Sequence, residues 1–191
     1  GRKNVAIGVQ ALLSQNSDVD NYNTAVGYLT GKSITTGVQN TLIGALAGDA
    51  LTTGGANAAL GHVALTSDTK GSRATAIGYG ALYAQNFTTA TDNYNTAVGY
   101  DAGGAITTGF YNTVMGGIAG NALTTGNYNV AIGTDTLGAD TKGSRTTAIG
   151  YAALYSQNFT TASNTHNTAV GFYAGLNLTK GSKKTFVGGE A

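Results

Sequence analysis

The chain has 191 residues, enough for one ordinary domain, but its composition is far from ordinary. Glycine contributes 30 residues and only 10% of residues are charged, while proline, cysteine and tryptophan are absent. The lack of cysteine excludes a disulfide scaffold and a thiolate-ligated metal or redox site. The net charge of +1 provides no global basic field for nucleic acid, and no apolar run approaches the roughly 18 residues of a membrane span.

A five-residue phrase with the consensus Asn-x-Ala-(Val/Ile)-Gly recurs eleven times along the chain, five times in this form and six times with substitutions. The units begin near positions 4, 23, 40, 57, 74, 95, 112, 129, 146, 167 and 184, which gives mostly 17-residue units, two 21-residue units and a first unit of 19 residues. Segments 83–90 and 155–162 match at a 72-residue spacing, which is a super-repeat of four units. We call the 21-residue unit at 74–94 with the coil on each side of it the first block, and the unit at 146–166 with the coil on each side of it the second block. We therefore predict a single repeat-array domain over residues 1–191 and expect it to be a fragment of a longer fibre.

Each unit begins with a short predicted strand. The second position of the phrase is Thr in eight units and the fourth is aliphatic or Met in all eleven, and residues two apart lie on one face of a strand. Turn sequences such as Leu-Thr-Thr-Gly follow, and the frequent glycines exclude a helical apolar period. Stacking the units at about 4.8 Å per coil predicts an all-β fold, a parallel solenoid of 17-residue coils.

The two faces of the predicted strand receive different roles. We expect the aliphatic fourth position to fill the interior, which leaves the middle position of the phrase, usually Ala, on the outside. Packing several chains along a common axis would bury that apolar column, so we predict a homo-oligomeric rod. The candidate axis column is Ala25, Leu42, Ala59, Ala76, Ala97, Val114, Ala131, Ala148, Ala169 and Phe186.

The corners of the coil are predicted at Asn and Gly. The phrase opens with Asn in eight units, and in the other three it opens with Ala74, Thr146 or Lys184, directly after a Lys-Gly-Ser turn. We expect the glycine of that turn to supply the bend that Asn supplies elsewhere.

The phrases Asn-Thr-Ala-Val-Gly-Tyr at residues 95–100 and Asn-Val-Ala-Ile-Gly at residues 129–133 resemble a known family of repeats. They are similar to the head repeats of trimeric autotransporter adhesins of the YadA type and to repeats of phage tail fibres and bacterial surface fibres. The resemblance covers essentially the whole chain. It implies a left-handed parallel β-roll, intertwined or packed as a homotrimer. It further implies an extracellular structural and adhesive fibre segment, on a cell surface or virion, that attaches to a glycan or protein receptor.

No residue pattern predicts catalysis, so we expect a protein that is not an enzyme and has no cofactor. The two histidines, His62 and His166, do not recur between the blocks, and a fibre-borne glycan hydrolase would need two carboxylates facing one cleft. Asn16, Asp18 and Asp20 have a spacing compatible with a calcium loop but lack its glycine and late glutamate. We therefore predict no metal site and interpret this segment as a solvated turn.

An alternative from another class is a Thr-rich ice-binding β-solenoid. Such proteins need flat, regular Thr arrays, and the second phrase position supplies a Thr column. Because this column shares a strand face with the aliphatic fourth position, we expect it to point inward, which favours the fibre hypothesis. Thermal hysteresis separates the two.

Basic residues concentrate in the Lys-Gly-Ser turns. They predict solvated corners or, as a second interpretation, stripes that contact anionic polysaccharide or lipid headgroups. Seven of the ten basic residues belong to this set: Lys70, Arg73, Lys142, Arg145, Lys180, Lys183 and Lys184.

The two 21-residue units contain insertions that we expect to bulge outward at one corner, four coils apart. Aromatic side chains on rigid loops are common glycan and protein contacts, and insertions often mark a binding face of a repeat protein. The other interpretation is that Phe87 and Phe159 fold back over a neighbouring coil. The candidate receptor contacts are Tyr83, Phe87, Tyr94, Tyr155, Phe159 and His166.

Overall fold

The computed structural model describes residues 1–191 and contains fifteen short strands. Eleven strands have three residues and coincide with positions two to four of the phrase, and four have two residues. The chain contains no helix that could span a membrane. In chain order the strands are β1 (Val5–Ile7), β2 (Thr24–Val26), β3 (Thr41–Ile43), β4 (Ala58–Leu60), β5 (Gly71–Ser72), β6 (Thr75–Ile77), β7 (Thr91–Asp92), β8 (Thr96–Val98), β9 (Thr113–Met115), β10 (Val130–Ile132), β11 (Gly143–Ser144), β12 (Thr147–Ile149), β13 (Ser163–Asn164), β14 (Thr168–Val170) and β15 (Thr185–Val187).

The eleven phrase strands form one parallel sheet in the order β1-β2-β3-β4-β6-β8-β9-β10-β12-β14-β15. Equivalent positions pair throughout, as in Thr24 with Thr41 and Ala25 with Leu42. The two-residue strands form two small parallel sheets, β5 with β7 and β11 with β13, at the two 21-residue units. The predicted all-β parallel solenoid with mostly 17-residue coils is confirmed.

The structure reverses the predicted orientation of the strands. The middle position of the phrase faces the interior of the single chain, and the second and fourth positions face outward. A narrow coil admits Ala at this position more easily than a branched side chain, so the small residue lies inside. The candidate axis column is therefore core, not an interchain surface: Ala25, Leu42, Ala59, Ala76, Ala97, Val114, Ala131, Ala148 and Ala169 are at most 1% exposed, and Phe186 packs against the same core.

Side-chain sizes compensate for one another within the core. The coil that contains Ala76 also contains Leu82, and both side chains are fully buried. The coil that contains Leu42 has Gly48 at the position equivalent to Leu82, and a Cβ on Gly48 would lie 3.0 Å from Leu42 Cδ2. Leu42 and Val114 therefore pack against Gly48 and Gly120 of their own coils, and Phe186 packs against Gly175 of the preceding coil.

The phrase glycine marks one corner as predicted, with a φ between 124° and 143° in all eleven units, but Asn does not supply the bend at the other corner. The left-handed conformation belongs to the residue before Asn, for example Tyr22 with φ of 55° and Gln39 with φ of 59°. Asn itself points inward and links successive coils: Asn40 Oδ1 accepts from the Asn57 backbone N–H at 3.1 Å, and Asn40 Nδ2 donates to the Gly54 carbonyl at 3.0 Å. The glycines of the Lys-Gly-Ser turns do not replace Asn, because they supply the carbonyl that the preceding Asn side chain binds.

Candidate functional site

The structure separates the six candidate receptor contacts. Phe87 is 6% exposed and Phe159 is half-buried, whereas Tyr83, Tyr94, Tyr155 and His166 are exposed. The tips of the two insertions present small residues to solvent, at 88–90 and 160–162. The aromatic side chains therefore do not occupy the loop tips, and the burial of Phe87 is compatible with the second interpretation.

Each insertion is anchored by a buried relay of three polar side chains. Asp68 Oδ1 accepts from the backbone N–H groups of Gly71 and Phe87, both at 3.0 Å, and Asp68 Oδ2 accepts from Gln85 Nε2 at 2.7 Å. Gln85 Oε1 in turn accepts from Asn95 Nδ2 at 2.8 Å. Burial raises the pKa of Asp68 above its ordinary value, and the hydrogen bonds from Gln85, Phe87 and Gly71 oppose that rise.

The second block repeats the relay with Asp140, Gln157 and Asn167, all buried. Sequence reasoning missed these residues, although the matched Gln at 85 and 157 and Asp at 68 and 140 were visible at the 72-residue spacing. The relay consists of satisfied hydrogen bonds with no access to solvent, so its role is to fix the insertion.

Tyr94 belongs to an exposed aromatic column that we name the tyrosine ladder: Tyr94, Tyr111 and Tyr128. Successive ring centroids are 5.2 Å apart and the rings are within 8° of parallel. Phe110 packs edge-on against two of these rings. The ladder follows from the repeat, because each ring occupies the position before Asn in successive coils.

A cation terminates each end of the tyrosine ladder. The Arg73 guanidinium lies 5.6 Å from the Tyr94 ring centroid and pairs with Asp92 at 3.0 Å. The Arg145 guanidinium lies 5.3 Å from the centroid of Tyr128. Two of the seven turn cations thus cap an aromatic surface, and the ladder with its two arginines offers flat faces and fixed donors.

His166 has the same left-handed corner conformation as the ladder tyrosines, but Arg145 occupies the corner between it and Tyr128. A second aromatic column follows the phrase glycine, where His62 stacks on Tyr79 at a centroid distance of 5.5 Å and Tyr79 stacks on Tyr100 at 5.4 Å. Tyr155 borders this second column in the later block, where it lines a cavity with Tyr151, the counterpart of Tyr79.

The segment considered as a calcium loop is held by protein contacts. Lys3 Nζ pairs with Asp20 at 2.7 Å, and the Arg2 side chain donates to the Asp18 backbone carbonyl. No three His, Asp or Glu side chains come together anywhere in the chain.

A surface of uniform composition runs along the whole large sheet; we name it the outward face and define it as the second and fourth phrase positions of all eleven strands. None of its side chains is charged. Thr dominates one column and aliphatic residues the other, and the exposed large apolar members are Val5, Ile7, Ile43, Leu60, Ile77, Met115, Val170 and Val187.

No protein family, no curated protein and no solved structure matches this chain.

Proposed function

We propose that the chain is a structural and adhesive segment of an extracellular fibre, carried on a cell surface or a virion and built from three copies of the chain. The observation that carries the proposal is the uncharged outward face. An apolar column that continues over eleven coils exposes far more hydrophobic surface than isolated surface side chains do.

A second copy of the same chain is the occupant that this face fits. The face presents one strand per coil, and the same face of an identical chain has the same repeat, so the two can match along their length. It carries no charge that association would desolvate. The axis column expected from the sequence is replaced: the interface consists of the outward face, for example Ile43 and Ile77, while the Ala column remains core. A left-handed roll and threefold symmetry complete the proposal on the strength of the sequence resemblance.

The mechanism of such a segment is geometric. Eleven coils span roughly 50 Å, so the rod separates a binding surface from its base. Three chains that each repeat a weak contact gain avidity without a tight individual site. The tyrosine ladder is the receptor contact in this proposal, because its rings are exposed, stacked and flanked by Arg73 and Arg145.

Cysteine trapping tests the proposed interface, because the native chain has no cysteine. Thr113→Cys places a thiol at the centre of the outward face, and Thr125→Cys places one in an exposed turn as the control. Under mild oxidation we expect Thr113→Cys, and not Thr125→Cys, to form covalent pairs of chains at low protein concentration. Equal cross-linking of the two variants would argue against this interface.

Receptor contact is tested separately on a glycan array and on cell surfaces with labelled protein. Tyr111→Ala removes the middle rung of the ladder, and Tyr83→Ala is the control for loss of an exposed tyrosine elsewhere. We expect only Tyr111→Ala to be lost from the array and from the cells, and we expect its oligomer to keep the native mass. Equal retention of both variants would remove the ladder from the contact surface.

Ice binding is retained as a second candidate because one observation now favours it. The Thr column points outward, contrary to the sequence expectation, and forms a single-residue array along the sheet that Ala58 and Val130 interrupt. Ice binding requires that no other chain covers the outward face, so this function excludes the proposed trimer. Thermal hysteresis by a monomeric chain, abolished by Thr96→Lys, would establish ice binding in place of the fibre proposal.

A further inference from the structure

Three tyrosines of the second block converge around an open cavity of about 280 Å³. We name Tyr151, Tyr155 and Tyr173 the tyrosine cage. The Tyr151 and Tyr173 ring centroids are 5.4 Å apart and their planes meet at 62°, so the two rings form adjoining walls, not a flat stack. The Tyr155 ring covers the open side of Gly138, where a Cβ would lie 2.7 Å from Tyr155 Cε2.

One carboxylate faces this cavity. Asp135 lines it and takes part in neither of the two ion pairs of the chain, and its side chain makes no hydrogen bond. Tyr173 is the largest cause of a raised pKa at Tyr151, and burial, Asp135 and Tyr155 contribute in the same direction. The phenol groups and the carboxylate therefore share one small space that holds no cation of the protein.

We propose that the tyrosine cage and Asp135 form a binding site for a trimethylammonium group. Aromatic faces attract a cation through their quadrupole, and a trimethylammonium cannot hydrogen-bond, so ring walls replace its hydration better than polar groups do. Asp135 supplies the neutralising charge, and Ala152 and Leu176 complete an apolar lining for the methyl groups.

A neutral sugar fits the same cavity less well. Sugar recognition needs several directional donors and acceptors around a flat ring contact, whereas the polar groups of this cavity are limited to the phenol hydroxyls and Asp135, with no Asn, Gln, Arg or Lys. The Tyr151 and Tyr173 rings also meet at a steep angle, which suits a compact group better than a flat pyranose ring.

The first block provides a natural control at the 72-residue spacing. Tyr79 and Tyr83 are retained there, but Val63 stands in place of Asp135 and Asp101 in place of Tyr173. Val63 and Asp101 have the same left-handed backbone as their counterparts, with φ of 53° and 51° against 60° and 56°. The fold therefore accepts both exchanges, and the first block lacks the third ring and has its carboxylate at Asp101 instead of at the position of Asp135.

Titration calorimetry with choline chloride and with tetramethylammonium chloride tests the site. The control ligand is 3,3-dimethylbutan-1-ol, the uncharged isostere of choline. We expect both cations to bind and the alcohol to bind at least tenfold more weakly. Equal binding of alcohol and choline would reduce the site to a hydrophobic pocket, and absence of choline binding or a preference for glucose would overturn the proposal.

Variants then locate the site. Tyr173→Asp and Asp135→Val install the residues of the first block, and we expect each to weaken choline binding at least tenfold without changing the melting temperature. Tyr83→Ala in the first block should leave binding unchanged. Unaltered affinity in Tyr173→Asp and Asp135→Val would overturn the assignment.

Phosphocholine separates two sources of the trimethylammonium group. Binding as tight as that of choline indicates a headgroup whose phosphate extends into solvent, and weaker binding indicates a free choline-like solute.

Discussion

Leu42 occupies the space that a side chain on Gly48 would need, since a Cβ on Gly48 would lie 3.0 Å from Leu42 Cδ2. This relationship recurs one super-repeat later at Val114 with Gly120, where the distance is also 3.0 Å. Leu42 also packs beside Gly31 of the preceding coil, where a Cβ would lie 2.9 Å from Leu42 Cδ1, so one large residue fills the space left by two glycines.

Leu42→Ala should therefore open a cavity that no neighbour fills. We expect the free energy of unfolding to fall by about 2–5 kcal/mol, as for other buried leucines. Chemical denaturation measures the loss, and Gln39→Ala, an exposed position three residues earlier, should change stability by less than about 0.5 kcal/mol. A similar small effect for both variants would contradict the placement of Leu42 in the core.

Asp68→Asn should disrupt the relay in the first 21-residue unit. The Asn oxygen can still accept from the Gly71 and Phe87 backbone N–H groups, but its NH₂ group would face Gln85 Nε2, which also donates. Gln85 cannot turn over, because its Oε1 accepts from Asn95. We expect a loss of about 1–3 kcal/mol by thermal or chemical unfolding.

The matched control for this change is Asp49→Asn, a partly exposed acid that accepts from the Thr66 hydroxyl. A hydroxyl can reverse its role as donor or acceptor, so this variant should lose little stability. If Asp68→Asn were as stable as Asp49→Asn, the assignment of fixed donors and acceptors in the relay would be wrong.

The stability of the chain should also depend on pH through Asp68. Because burial raises the native pKa of Asp68 above the unfolded value of 3.8, the folded state holds more protons than the unfolded state. Stability therefore falls as pH rises above 3.8 until the native pKa has been passed. The protonated form remains compatible with the relay, since Oδ2 can carry a proton on one lone pair and accept from Gln85 on the other.

Melting curves of the native chain and of Asp68→Asn across this pH range isolate the contribution. The advantage of the native chain over the variant should be greatest at low pH and should shrink as pH increases. A growing advantage with rising pH would show that the hydrogen bonds, not burial, dominate at this carboxyl.

Phe87→Ser should lower the melting temperature, because the Phe87 ring is buried and its backbone is tied to Lys70 and Asp68. The expected cost is about 3 kcal/mol. Thr89→Ser, at the exposed tip of the same insertion, is the control and should melt with the native chain. Equal melting temperatures of the two variants would mean that the Phe87 ring does not stabilise the fold by packing and is available for contact with a receptor.

The period, the strand positions and the parallel stacking could be predicted from sequence because they depend only on the spacing of equivalent residues. The choice of strand face could not, since Thr24 and Val26 lie on one face and Ala25 on the other whichever face is buried. Interior width decides that choice, and it depends on residues elsewhere in the coil, such as Leu82 in the coil of Ala76.

The aromatic sites show the same limit. Tyr94, Tyr111 and Tyr128 could have been grouped from their spacing, because each precedes the Asn of its phrase. The tyrosine cage could not, because Tyr151, Tyr155 and Tyr173 belong to two coils and occupy different positions within them. Their convergence depends on the path of the corner, which the repeat pattern does not specify.

Sedimentation equilibrium of the native chain and of Ile77→Asp tests the fibre proposal most directly. Ile77 lies on the outward face and is 37% exposed, so the variant leaves the core intact, whereas Asp at the neighbouring Ala76 would unfold the chain. We predict a native mass three times the 19.1 kDa of one chain and a folded single chain for Ile77→Asp. A native protein that sediments as a single chain, or an Ile77→Asp variant that keeps the native mass, would contradict the proposal.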